Sequence, residues 1–199
     1  VQGVSGGGPS AIQFAARHPG RTISLFLTCA VSGAYPIVIP GWSRLLMTPL
    51  GMRIGEWMLS KFPQTTVKQL IEQESTYSNE EVDRVTERIM GDPSLLSFLA
   101  GMTQSSTPWE DRQQGFYNDI QMIRALKEQP LPLERVGCPT LIVHGTADDD
   151  VPYRVAVQAH ERIAESELHK MENACHLLWI DPGVAAMNQR HVEFLRAHA

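Results

Sequence analysis

Apolar and polar residues alternate with two rhythms along this chain, and each rhythm predicts a different element. Residues 1–4 read as the end of a buried strand. Residues 22–30 form a β-branched and apolar run, and residues 139–144 form another, bounded by Gly137 and Gly145. Short runs of this kind suit strands buried on both faces. Residues 167–171 make a weaker one. Elsewhere the spacing shifts to three and four. Ala11, Ile12, Phe14, Ala15 and Ala16 give an apolar face to a helix with Pro9 in its first turn and His18-Pro19-Gly20 at its end. Strands alternating with helices predict parallel βαβ units and an α/β fold.

One connection is too long for a simple crossover. A dozen or so residues suffice to link neighbouring parallel strands, yet 35–129 carries its own helical signals. Thr48-Pro49, Asp92-Pro93 and Thr107-Pro108 each place a capping residue before a first-turn proline. Ser78-Asn79-Glu80-Glu81 has capping-box spacing. Leu50, Ile54, Trp57 and Met58 follow helical spacing, as do Val82, Val85 and Ile89, and Trp109, Phe116, Ile120 and Ile123. About four helices fit this stretch. It reads as an inserted helical lid over 35–130, between core segments 1–34 and 131–199. A helix opened by Pro152 and a last one capped by Asp181-Pro182 complete the core. Val184, Met187, His191, Val192 and Leu195 form the expected packing face of the last helix.

Composition narrows the function. The chain has 199 residues, 43% hydrophobic and 20% charged, with a formal net charge of -5. A sizeable core is possible and wholesale disorder is excluded. With no basic block, a nucleic-acid surface has no electrostatic basis. No apolar run approaches the roughly 20 residues of a membrane-spanning helix. Cys29, Cys138 and Cys175 form no CxxC pair, and three is an odd count, so buried reduced thiols in a cytoplasmic protein are expected.

The chemistry begins at Gly3-Val4-Ser5-Gly6-Gly7, a G-x-S-x-G pentapeptide between a strand and a helix. A nucleophile on so sharp a turn adopts strained backbone angles. The glycines on either side are expected to approach each other too closely for side chains. The turn lifts the Ser5 hydroxyl and aims the Gly6 N–H at an oxyanion, with the helix N-terminus adding to the field. A P-loop would need a lysine that is absent here.

A serine needs a base. Of the 7 histidines, His176 stands apart, in the loop Asn173-Ala174-Cys175-His176-Leu177 after the third strand. In an open α/β sheet, functional residues gather at that edge. His144 ends a strand and reads as structural. The base needs an orienting carboxylate, and His144-Gly145-Thr146-Ala147-Asp148-Asp149-Asp150-Val151-Pro152 offers three. The alternating ligand spacing of a calcium loop is absent, and no metal is expected.

Together these segments resemble the α/β-hydrolase family, in the chain order Ser…Asp…His. Pro-Thr-Leu-Ile-Val-His-Gly-x-x-Asp-x-x-Val-Pro is similar to that family's acid strand and loop, and it places the acid at Asp148. The resemblance implies a triad of Ser5, Asp148 and His176, with Gly6 in the oxyanion hole and no cofactor. It covers about half the chain, and residues 35–129 match only in position and helical character. Family members carry strands and a second oxyanion donor ahead of the elbow, whereas Ser5 stands near the start here. The expectation is therefore a C-terminal portion whose partner is its own N-terminal remainder. Trp42, Met47, Trp57 and Met58 suggest a small-molecule substrate with an apolar acyl or aryl part. The implied reaction is ester-type hydrolysis. Rivals are a carbon–carbon hydrolase, an acyltransferase, a cofactor-free haloperoxidase and a non-catalytic receptor on the same scaffold.

Overall fold

A computed structural model of the chain describes residues 1–37, 47–105 and 108–198. These divide into two units: Val1–Tyr35, Glu74–Thr76 and Met122–Ala199 form the first, and Pro36–Gln73 with Tyr77–Gln121 the second. The first unit therefore takes in a three-residue segment, Glu74–Thr76, from the middle of the inserted stretch. It also resumes earlier than residue 131.

The first unit is built on four parallel strands in the order β1-β2-β3-β4: β1 Gln2–Val4, β2 Leu25–Thr28, β3 Thr140–Gly145 and β4 Ser166–Met171. Strand β2 is shorter than the run 22–30. Thr22 N–H closes a turn onto the Pro19 carbonyl (3.3 Å), and Cys29 leaves the extended region at φ 40°. Helix α1, Gly8–Arg17, packs on β1 and β2, and α7, Tyr153–Arg162, packs on β3 and β4. The last helix, α8 (Val184–Ala197), packs on β3. Side chains alternate across a sheet. Phe26, Leu141 and Val143 accordingly share one face and join Met171, Leu178, Met187 and Phe194 in one apolar cluster. Leu25, Leu27 and Ile142, the alternate residues, are buried as well.

The packing face of α8 differs from the expected one. Met187 and Phe194 are buried and the His191 ring stacks on Phe26 at 3.6 Å, whereas Val192 and Leu195 are exposed. Residues four and seven after Met187 return to its side of the helix, while 192 and 195 turn well away from it.

The second unit is helical: α2 Pro49–Lys61, α3 Pro63–Glu74 up to its last residue, α4 Asn79–Gly91, α5 Pro93–Gln104 and most of α6, Trp109–Ala125. Five helices thus occupy the described part, against the expected four. Thr48 accepts from Gly51 N–H (3.1 Å), Asp92 accepts from Ser94 N–H (2.9 Å), and Ser78 with Glu81 closes a full capping box. Each side chain satisfies a helix-end donor that has no partner within the helix. The Thr107 cap lies outside the described residues. Val67, Ile71, Val82, Ile89 and Leu99 are buried. No helix among the described residues is long and apolar enough to cross a membrane.

Candidate active site

Three loops at the carboxyl ends of the strands build the site. The first is the turn after β1. Ser5 has φ 46° in a single 3-10 turn, Ser5–Gly7, that runs directly into α1. Gly3 is required by close approach: a Cβ there would meet Ala11 Cβ at 2.8 Å and Gly8 Cα at 3.1 Å. The crowding expected at Gly7 is absent, since nothing lies within 4 Å of a Cβ built there. The tight position on the helix side is Gly8, where an added Cβ would strike the Val31 carbonyl at 2.4 Å. The elbow is therefore closed by β1 meeting the first turn of α1 and the chain after β2. Val31 N–H also donates to the Ser5 carbonyl (2.9 Å).

The second and third loops follow β3 and β4 and lie directly against each other. At Gly145 a side chain would collide with the Ala174 carbonyl at 2.2 Å. Ala147 N–H donates to that carbonyl (3.0 Å), and Asn173 N–H donates to Thr146 Oγ1 (2.8 Å). The glycine ending β3 lets the acid loop and the histidine loop share main-chain hydrogen bonds.

On this frame the three expected side chains form a line. His176 Nδ1 lies 2.8 Å from Asp148 Oδ2, and His176 Nε2 lies 3.0 Å from Ser5 Oγ. A carboxylate only accepts, so Nδ1 carries the hydrogen, and neutral Nε2 is left to accept from the Ser5 hydroxyl. Asp148 is 3% exposed and His176 7%. The second Asp148 oxygen accepts from Val151 N–H at 2.8 Å.

His144 has more to do than end a strand. Fully buried, it offers one N–H, at Nε2, to both the Val151 carbonyl (2.8 Å) and Asp148 Oδ2 (3.1 Å). Burial pushes the Asp148 carboxyl up, but the hydrogen bonds from His144 and His176 outweigh it and hold Asp148 below the usual carboxylate value. Burial pulls His176 down. The hydrogen bond and charge of Asp148, with the charges of Asp150 and Glu74, reverse this and leave the imidazole above its ordinary value.

Two further acids reach the imidazole: Asp150, another of the three aspartates in the acid loop, and Glu74, which sequence reasoning missed. Asp150, its side chain about half exposed (55%), has Oδ2 3.5 Å from His176 Nε2. Glu74, the last residue of α3, is separated from His176 by about half the chain. Its proximity had no local signal. Among the described residues, Glu74, Asp150 and His176 form the group whose ligand atoms, all within 4.8 Å of one another, lie close enough to share a cation. A cation on His176 Nε2 would compete with the Ser5 hydroxyl.

The other expected residues lie elsewhere. Gly6 occupies the turn directly after Ser5. Met47 and Met58 are half-buried in the second unit, and Trp57 is 53% exposed with its ring edge-on to Phe62 at 5.8 Å. Trp42 lies outside the described residues.

Comparison with known proteins gives a family. No family model matches the chain. An α/β-hydrolase fold protein from Nakamurella multipartita is 36% identical with a TM-score of 0.88, over 100% of this chain and 69% of its own. A meta-cleavage product hydrolase (CumD, in a point-mutant form) is 25% identical with a TM-score of 0.54, over 98% of this chain and 64% of its own. A stretch of 107 residues, 45% of this chain, is 34% identical to 4% of the non-reducing polyketide synthase adrD of Penicillium rubens. The chain belongs to the α/β-hydrolase family.

Proposed function

We propose that this chain carries the reaction centre of a serine hydrolase acting on an ester or related carbonyl substrate. The reading is supported by one observation above all, the unbroken hydrogen-bond line from Ser5 Oγ through the His176 imidazole to Asp148. Ser5 Oγ attacks the substrate carbonyl carbon while its proton passes to His176 Nε2. The carbonyl π pair moves onto oxygen, where the Gly6 N–H and the α1 N-terminus stabilise it. As the oxyanion collapses, the bond to the leaving alcohol breaks and His176 returns the proton to it. Water then attacks the acyl-enzyme with His176 again as base, releasing the acid and restoring the Ser5 hydroxyl. Asp148 keeps Nδ1 protonated and stabilises the imidazolium throughout. His144 and Val151 N–H keep Asp148 ionised and aimed.

In this reading the second unit is the lid, and Trp42, Met47, Trp57 and Met58 supply apolar contacts for the acyl or aryl part of a small substrate. A second oxyanion donor is expected from the N-terminal remainder. The meta-cleavage product hydrolase favours a second reading, cleavage of a carbon–carbon bond beside a carbonyl by the same three residues. Fluorophosphonate labelling tests the shared chemistry: the full-length protein is expected to label at Ser5, and Ser5→Ala to abolish it. Labelling that persists in the variant rejects both readings. Turnover of graded p-nitrophenyl esters against a meta-cleavage dienoate then separates them.

A further inference from the structure

Three consecutive residues at the end of α3 hold both loops of the site. The Glu74 carbonyl accepts from His176 N–H (3.0 Å), Ser75 forms a β-bridge with Asp148, and Thr76 N–H donates to the Ala147 carbonyl (2.9 Å). The Glu74 side chain enters the same space. One of its oxygens lies within 4.8 Å of a ring nitrogen of His176 and of an Asp150 oxygen. Its Oε2 is enclosed and has no hydrogen-bond partner among the described residues. A buried carboxyl oxygen left without a partner is costly and calls for a reason.

Resting on the reading of His176 as base, we propose that Glu74 is a positioning residue that couples its own charge to that of His176 and so sets the pH at which the imidazole can accept the Ser5 proton. The groups facing Glu74 are His176, Asp150 and Asp148. Those facing His176 are Asp148, Asp150 and Glu74. An anionic Glu74 is disfavoured by enclosure and by the two aspartates, and it gains a partner only when His176 carries a second proton. The two groups therefore titrate together. Burial pushes the Glu74 carboxyl up to about 7, against the pull of His176. Glu74 thus changes charge in the range where a histidine base operates, whereas Asp148, held low, remains an anion. Asp150, with Oδ2 3.5 Å from His176 Nε2, raises the imidazole in the same direction, so Glu74 acts on top of a charge that the loop already supplies.

The sign follows directly. Removing the negative charge of Glu74 lowers the basicity of His176, so the neutral base persists to lower pH. In the full-length enzyme, Glu74→Gln is expected to move the acid limb of kcat/KM for a neutral p-nitrophenyl ester down by about one pH unit. The plateau is expected to fall several-fold, and Glu74→Asp is expected to keep the limb within a few tenths of a unit. A Glu74→Gln limb that stays in place overturns the proposal even if the rate drops, because a purely structural role slows the enzyme without moving its titration. Should Glu74→Gln fail to fold, NMR titration of the wild-type enzyme decides. The Glu74 carboxyl and the His176 imidazole are expected to titrate over the same pH range, and a carboxyl that is fully ionised by pH 5 overturns the coupling. Full turnover by His176→Gln would instead reject the base itself, a different outcome from an unmoved limb.

Discussion

Both units carry surface ion pairs, but they differ in the ionisable groups that they bury. In the sheet unit, His144, Asp148 and His176 are buried and orient one another through hydrogen bonds. In the helical unit the ion pairs Lys68–Asp83 and Glu81–Arg84 lie at the surface, while Leu50, Trp57, Phe62 and Phe98 are exposed. Buried ionisable groups are expensive unless each one has a partner. A unit that keeps three of them enclosed in one line has its polar groups arranged for chemistry. The helical unit gains its order from caps and apolar spacing. Substitutions should separate the two: changes along the hydrogen-bonded line of the sheet unit act first on turnover, and changes at the helix caps of the helical unit act on stability.

The largest effect is expected at the line itself. Ser5→Ala should lower kcat/KM by at least about a thousandfold with little change in melting temperature. Asp148→Asn should follow, with a loss of about a hundred- to ten-thousandfold, because a neutral amide neither fixes the Nδ1–H tautomer nor balances the imidazolium. It has a stability signature as well. The Asp148 carboxyl is held below its unfolded value, so it stabilises the fold above that value and loses this contribution as pH falls through the folded one. Acid unfolding of the Asn variant should therefore start from a lower baseline and show a shallower pH dependence. An Asn variant with wild-type acid sensitivity would break the link between burial and ionisation.

Legibility in the sequence follows the same division. The strands, the elbow and the helix caps were readable because each is set by residues close together in the chain: Gly3 and Ser5, Thr48 and Gly51, Ser78 and Glu81. Ser5, Asp148 and His176 are far apart, yet each stands in its own recognisable loop. Glu74 stands in none. It ends an ordinary amphipathic helix, and only the fold brings it to His176. His144 does stand at the end of β3 as expected, but its contact with Asp148 across the turn has no signal in the strand pattern. The face of α8 was misread for a different reason. Val192 and Leu195 are apolar but exposed, and exposed apolar residues are normal on protein surfaces. Phe194 carries the packing instead.

An intermediate effect should come from the contact between the acid and histidine loops. Gly145→Ala puts a methyl group into the Ala174 carbonyl. That overpacking should cost about 1–3 kcal/mol of stability. It should also lower turnover, because separating the loops lengthens the His176–Asp148 hydrogen bond. Chemical denaturation and kcat/KM on the same preparation check both. A variant that loses stability yet keeps full activity would show that the line tolerates movement of its frame.

The smallest effect belongs to the helical unit. Ser78 accepts from Glu81 N–H (3.3 Å), and Glu81 returns a bond to Ser78 N–H (2.9 Å), so each half of the box satisfies a donor at the start of α4. Ser78→Ala removes one half and should cost about 1 kcal/mol in denaturation. Its kcat/KM and pH profile should stay at wild-type values, because the capped donors take no part in the hydrogen bonds that orient His176. The cap does stand close in sequence to Thr76, which holds the acid loop through Ala147. A shift in the pH profile of Ser78→Ala would mean that fraying at the start of α4 propagates along the chain to the Glu74–Thr76 segment. The separation between substitutions that act on chemistry and caps that act on stability would then fail at Glu74–Thr76, the segment that belongs to the first unit.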